Sequence, residues 1–507
     1  MNTSPFKIGM GALVLLVPWL TTAQAETARL ELKQLADPAG TFRFDRYAIY
    51  RMVNHQGLHR LRDNEDSSQR MDKEFAQVVR KEPEKYLCDF PFRGVVKLGS
   101  QRFGFVLDSN RLARGYHRLH FDLNGNGDLT DDQVIEAHRG GTVVGGDYAS
   151  REFPRVDVVI DVDGTKMEYS FFVSVYSYGI EAGKAPRQAN VSFAAATYRE
   201  GQITLDGKSH HLVLLDFNST GRFDDVFTVD RKHSFLDGQI YPTYGDVLLI
   251  DPDTKSPAFG YGLTDRKERV PVSKLVCIDG KYYELKISPT GEELTVVPYQ
   301  GALAAAVNMN CGQYDAVIYG DGGVLKISGE KNKPVMLPVG EWRLLGYQAS
   351  PARSPETRPA GTEDPASKPA DPPKPHRRSL LARAIRSWLG SGNDEADEDE
   401  EEDEEAQAIS LRGRQTLASG VGTKDAPPFK VEAGRTAVMK FGPPYKPVVK
   451  TQYWGSPSEV YLTLAITGAG GEILDDLLVN GNRPNAPSFQ IIAPDGEIIL
   501  RGKFEFG

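Results

Sequence analysis

The chain has 507 residues, of which 40% are hydrophobic and 25% charged, close to the globular average and incompatible with a wholly disordered or fibrous protein. Its formal charge is −9, but eleven of the twelve residues in 394–405 are acidic, and removing them leaves +2. A surface so near neutrality has no basic excess with which to displace counterions, so nucleic acid is excluded as an expected partner.

In chain order, Lys7 precedes an apolar run over 11–20, and Ala23, Gln24 and Ala25 form a small-x-small cleavage signal. The run is shorter than the roughly 20 residues a spanning helix needs, and Pro18 interrupts it. The pattern predicts a secretory signal over 1–25, cleaved after Ala25, and an exported protein, periplasmic or at the cell surface. Only Cys88, Cys277 and Cys311 follow, an odd number and too few for a disulfide scaffold. Cys277 and Cys311 could pair, or both could stay buried thiols.

Residues 26–90 read as a mixed α/β segment with one helix, where Met71, Phe75, Val78 and Val79 recur at helical spacing between the cap candidates Ser67 and Ser68 and the breaker Pro83. Over 91–300, short runs of Val, Ile, Tyr, Phe and Leu alternate with Gly, Asp and Asn turns. The expectation is a mainly β protein of tandem antiparallel sandwich or barrel modules.

A repeat lies within this stretch. Asp122, Asn124, Gly127 and Asp131 recur without gaps as Asp216, Asn218, Gly221 and Asp225, and both copies follow apolar, strand-like residues. Two related β units carrying the same loop are inferred. In the first copy, oxygen-bearing Asp122, Asn124 and Asn126 occupy alternating positions, Gly127 permits a sharp turn, and Thr130 and Asp132 follow. Calcium takes about six to eight oxygens, and such alternation converges them on one point.

This loop resembles the EF-hand and dockerin-type calcium loop. The resemblance implies side-chain oxygens from Asp122, Asn124, Asn126 and Thr130 and the main-chain carbonyl of Asp128. Gln133 stands where that family has a bidentate Glu, so Asp132 would have to substitute, and strand-like flanks replace the paired helices. The second copy would offer Asp216, Asn218, Thr220, the Arg222 carbonyl and Asp224, with less negative charge. The alternative for either copy is a polar turn that hydrogen-bonds itself. Calcium is the expected cofactor.

His117, His120 and Asp122 could in principle hold a transition metal, but strand alternation sends the two histidines to opposite faces, and His210 with His211 has the same difficulty. The nucleophile-elbow, zinc-protease, phosphate-loop and dinucleotide-binding motifs do not occur. A secreted hydrolase, acting on polysaccharide and using calcium only structurally, stays as the alternative to a non-catalytic protein, although no carboxylate pair can be chosen for it from sequence.

Residues 335–346 read as strand, Pro-x-Gly turn and strand, and residues 429–441 as a hairpin with an Ala-Gly turn. Between them, 350–407 reads as a disordered insertion. It contains eight prolines over 351–375, then an amphipathic segment with Leu380, Leu381, Ala384, Ile385, Trp388 and Leu389 on one face and Arg383 and Arg386 opposite, then the acidic run. The segment 380–389 suits an anionic membrane surface or a partner groove. The flanking strands resemble the carboxypeptidase regulatory-like, transthyretin/Cna-B-type β-sandwich of exported bacterial proteins. That implies a structural or adhesive sandwich over 301–447 with no catalytic residues. Residues 448–507 again read as strands and turns, which could complete the preceding sandwich or form a second, small β module, the favoured reading. The expected function is an exported calcium-binding scaffold or adhesin with a protein or glycan partner.

Overall fold

The computed structural model describes residues 24–36, 53–60, 73–89, 91–110, 115–138, 148–178, 188–232, 234, 238–252, 268–350, 416–453, 460–479 and 482–504. Most of the signal sequence, Met71 and its cap serines, and residues 351–415 with the amphipathic and acidic segments lie outside the described residues.

The fold is mainly β, built of several antiparallel sheets. Its strands follow from period-two patterning: in Val156–Val162, Val156, Val158, Ile160 and Val162 are buried while Asp157, Val159 and Asp161 face outward. Asp-Gly pairs make the tight turns. Asp163-Gly164, Asp206-Gly207 and Asp279-Gly280 each have positive φ at both residues, the backbone twist that joins adjacent antiparallel strands through two residues.

Four sheets share the first core. Phe92–Leu98, Gln101–Asp108, Arg118–Phe121 and Ile135–Glu136 form one of them, and Thr165–Tyr178 centres a second. Rings of Phe103, Phe105, Phe121, Phe171 and Phe193 meet with centroids 5.2–5.8 Å apart. The strands of segment 26–90 join sheets formed by later parts of the chain. Glu26–Arg29 pairs with Glu293–Pro298, Glu31–Gln34 with Thr197–Leu205, and Val53–Arg60 with Gln188–Ala195. The expected helix is present as Lys73 to Val78, and Phe75 and Val79 bury against Val106 and Leu129. These pairings satisfy backbone groups of sheet edges across up to 270 residues, which no local pattern encodes.

The sheet containing Lys208–Leu215 and Val247–Ile250 is a middle layer. Leu212, Leu214 and Leu248 point into the first core, while Val213, Leu215, Val247 and Leu249 join a second cluster with Val317, Val324 and Leu345 of the following region. Burial on both faces explains why these strands read as unbroken apolar runs rather than alternating ones.

The second region packs a three-stranded sheet, Pro334–Pro338, Leu303–Asn308 and Ala437–Met439, against an eight-stranded one. Trp342, Tyr314, Tyr347, Met439 and Phe441 fill the space between. Gly340–Ser350 and Thr416–Val421 are antiparallel neighbours, Ala349 opposite Ala418, so the chain leaves and re-enters this sheet at one end, on either side of 351–415. The boundary drawn at 447/448 does not hold. Lys446–Tyr453, Val460–Thr467 and Ile473–Val479 extend the same eight-stranded sheet, and among the described residues of this stretch only the hairpin of Ser488–Ile492 and Ile498–Lys503 stands apart. Cys277 and Cys311 pack in or against one core yet form no bridge.

Two buried polar side chains hold the 442–472 corner. Asn308 donates to the Met439 and Phe441 carbonyls at 3.2 and 3.1 Å and accepts from the Cys311 N–H at 2.7 Å. Glu472 accepts the Gly442 and Gly470 N–H groups at 2.6 and 2.9 Å. Burial holds the Glu472 carboxyl above the usual carboxylate range, against the pull of those N–H groups. The folded state therefore binds this proton more tightly than the unfolded chain. The associated stability is complete at acidic pH and is lost as pH rises through the raised value. Glu472→Gln stays neutral, so its urea midpoint is expected to lack this slope. It should carry instead a pH-independent loss of about 1–3 kcal/mol from the missing acceptor. Parallel pH profiles for variant and wild type would refute the assignment.

Candidate metal centre

Both loops are built on one backbone frame. In the first, Asp122 is buried at the end of Arg118–Phe121, and its Oδ1 and Oδ2 accept the N–H groups of Asn126 and Gly127 at 3.0 and 2.9 Å. In the second, Asp216 follows Lys208–Leu215 and accepts from Thr220 and Gly221 at 2.9 and 2.7 Å. Left-handed φ occurs at matching places, Gly125 with Ser219 and Gly127 with Gly221. A Cβ at Gly127 would stand 2.6 Å from the Val78 carbonyl oxygen, and one at Gly221 would stand 2.7 Å from the Gly99 nitrogen, so glycine is required for packing as well as for φ. The sequence repeat is thus a repeat of structure.

Around the first frame, Asn124 Oδ1 accepts the Asn126 N–H at 2.9 Å and Asn126 Oδ1 accepts the Asp128 N–H at 2.6 Å. The amide nitrogens of Asn124 and Asn126 face Asp131 at 3.4 and 2.8 Å, and Asn124 also reaches Asp132 at 3.5 Å. Asp132 has a buried Oδ2 with no hydrogen-bond partner. Burial, with the charges of Asp131, Asp122 and Asp128, pushes its carboxyl up to about 6. Burial also raises Asp122. The Asp128 side chain, of which only the main-chain carbonyl was expected to contribute, pairs through its carboxylate with Lys81 at 2.8 Å and accepts a hydrogen bond from the Thr130 hydroxyl, contacts that hold it at about 2.

The second loop differs in what surrounds the frame. Asp216 also accepts the hydroxyl of fully buried Tyr169 at 2.6 Å, and burial pushes its carboxyl up to about 7. Asp225 Oδ2 takes the Thr220 hydroxyl at 2.6 Å and the Asn218 amide at 3.1 Å, while Asp225 N–H donates to Asp246 at 2.8 Å. Asp246, entering Val247–Ile250, is completely buried and raised by burial and by Asp216 and Asp225. The Asp224 carboxylate, expected as a contributor, is bound by the Arg222 guanidinium through two 2.9 Å contacts, and that guanidinium also reaches Asp163 at 2.9 Å; the contribution expected of Arg222 is its main-chain carbonyl.

Sequence reasoning therefore missed Asp131, Asp225 and Asp246. Recurrence of Asp131 as Asp225 was an available signal for the first two. Asp246 lies outside the repeat and carries no local signal. Among the described residues, no three His, Cys, Asp or Glu side chains converge on a point where an ion would sit. Any cation would draw also on Asn, Thr and main-chain oxygens.

The histidines do not join these loops. His120 is buried, its neutral form favoured by burial, with Nε2 3.8 Å from Asp108 rather than Asp122. His210 meets Asp251 at 2.8 Å and His211 meets Glu200 at 2.8 Å. A cleft of about 480 Å³ lies beside Trp342 at the junction of the two regions. The exposed residues Glu284, Asp321 and Glu341 are among those that line it. Compared with protein-family models, curated proteins and solved structures, the chain matches none of them.

Proposed function

We propose that the chain is an exported, non-catalytic scaffold or adhesin whose β architecture is stabilised by calcium, and that it presents its sandwich surface to a protein or glycan partner. One observation carries the calcium reading: Asp122, Asp128, Asp131 and Asp132 crowd into one turn, where Asp132 keeps a buried, unpartnered oxygen. Burying carboxylates side by side is costly unless a cation or a proton offsets them. Asp122, Asn124, Asn126, Asp131 and Asp132 would supply side-chain oxygens, with the Asp128 carbonyl and a reoriented Thr130 hydroxyl beside them. This set of hard oxygen donors suits calcium rather than a softer metal. The bound ion would supply positive charge and rigidity and no reaction chemistry.

The export and adhesive parts of the reading rest on the signal pattern and on the resemblance to regulatory-like sandwiches. The segment 380–389, a candidate for an anionic membrane surface, lies outside the described residues.

Calorimetric titration of the full chain with calcium tests the reading. Asp122→Ala should abolish the first-loop heat. Lys81→Ala removes a positive charge that lies 2.8 Å from Asp128, and it should tighten calcium binding by roughly two- to tenfold at low salt. A wild-type chain that takes up no calcium, or a Lys81→Ala chain that binds it more weakly, would reject it.

A further inference from the structure

We propose that the second loop is a separate site for a hard, oxygen-ligated divalent cation, and that its side-chain ligands are Asp216, Asn218, Asp225 and Asp246. Arg222 and Asp224 are outside it. This extends the calcium reading to a different place and does not require the first loop to bind.

Charge is the first reason. Asp216 and Asp246 are completely buried and Asp225 partly so, and among the described residues no lysine, arginine or histidine is paired with any of the three. Arg222, the cation within this loop, is committed to Asp224 and Asp163. Buried carboxylates without a counter-charge are among the costliest arrangements in a folded protein.

Unused oxygens are the second, independent reason. Asp246 Oδ1 is buried and has no hydrogen-bond partner, although the other oxygen of the same carboxylate takes the Asp225 N–H. Asn218 Oδ1 is likewise buried and unpartnered, while its amide nitrogen reaches Asp225 Oδ2 at 3.1 Å. Native proteins leave few such atoms, and each one marks a missing partner or a strain. The three carboxylates are neighbours without a common focal point, so binding an ion would require the Asp246 carboxylate and the Asn218 amide to turn, at the expense of the Asp225 N–H bond to Asp246 and the Asn218 amide bonds to Asp225 and the Tyr244 carbonyl.

Position gives the site its consequence. The Thr220 carbonyl accepts the Gly99 N–H at 2.6 Å, Phe223 N–H donates to the Pro289 carbonyl at 3.0 Å, Tyr169 reaches Asp216, and Asp246 heads the middle-layer strand. A cation here would tie together segments that lie far apart in sequence, with two of its four ligands buried and two half-buried. It should exchange slowly, whereas the first loop faces solvent through Asn124, Asn126 and Asp131 and should exchange quickly.

The test is elemental analysis of calcium bound per full chain after equilibration and gel filtration, with melting curves confirming that each variant is folded. Two ions are expected in the wild type, one in Asp122→Ala and one in Asp246→Asn, with Asn218→Ala losing the slowly exchanging ion to chelator at least tenfold faster. Should Asp246→Asn fail to fold, Asn218→Ala decides. A wild-type count of one that Asp122→Ala abolishes overturns the second site and leaves the first intact. A count of one that survives Asp122→Ala and is lost in Asp246→Asn supports the second site and overturns the first. A count of two retained by both folded Asp246→Asn and Asn218→Ala overturns the ligand set. No calcium in any chain overturns both sites.

Discussion

Saturating calcium should raise the melting temperature of the full chain by roughly 5–10 °C over the same chain in chelator. A ligand present at 100 times its dissociation constant adds about 2.7 kcal/mol when it binds only the folded state. A unit the size of the first region shifts by about 2–4 °C per kcal/mol. Asp122→Ala should remove most of the increment contributed by the first loop. The same substitution has a cost unrelated to calcium, because the Asn126 and Gly127 N–H groups lose their acceptor, roughly 1–3 kcal/mol for each one left buried. The informative quantity is therefore the difference between calcium and chelator for each variant, not its absolute melting temperature. Asp122→Asn separates the two effects, since one amide oxygen still accepts an N–H while the charge is gone. A wild-type melt indifferent to calcium would reduce both loops to self-bonded polar turns.

The second large effect belongs to Trp342. Its ring is completely buried between the two sheets of the second region, and its Nε1–H donates to the Pro338 carbonyl at 2.9 Å, closing the Pro-x-Gly turn that precedes it. Trp342→Ala should cost about 3–5 kcal/mol through lost burial and the cavity left behind. That is enough to unfold the sandwich first and to split urea unfolding, followed by circular dichroism, into two transitions. Trp342→Phe fills part of the space and leaves the Pro338 carbonyl without its donor, for an expected loss of about 1–3 kcal/mol. If Trp342→Ala unfolded in one transition at the wild-type midpoint, the ring would not be a keystone of this region, and the turn it closes would hold without it.

The turns and loops of this protein were legible because their causes are local. Asp-Gly pairs between apolar runs set left-handed turns at 163–164, 206–207 and 279–280. The spacing of Asp122 to Gly127, repeated from Asp216 to Gly221, is sufficient to specify two copies of one hydrogen-bonded frame. The members of the second site were less legible. Arg222 and Asp224 occupy positions that spacing alone would assign to a ligand set. Their side chains, two residues apart, pair with each other, while the contribution that spacing assigns to Arg222 is its main-chain carbonyl.

Sequence by itself determined the fold class, the turn chemistry and the paired loop frames, since backbone sterics, period-two burial and hydrogen bonds within a few residues decide each of them. Tertiary structure alone decided that Glu26–Arg29 and Glu31–Gln34 complete sheets made much later in the chain, that Lys446–Tyr453, Val460–Thr467 and Ile473–Val479 extend the second sandwich, and that Asp246 lies against Asp225. Strand edges are chemically alike, and the entropy of closing a long loop rises only slowly with its length. The choice among distant partners is therefore made by the burial of whole faces, a property of the assembled core.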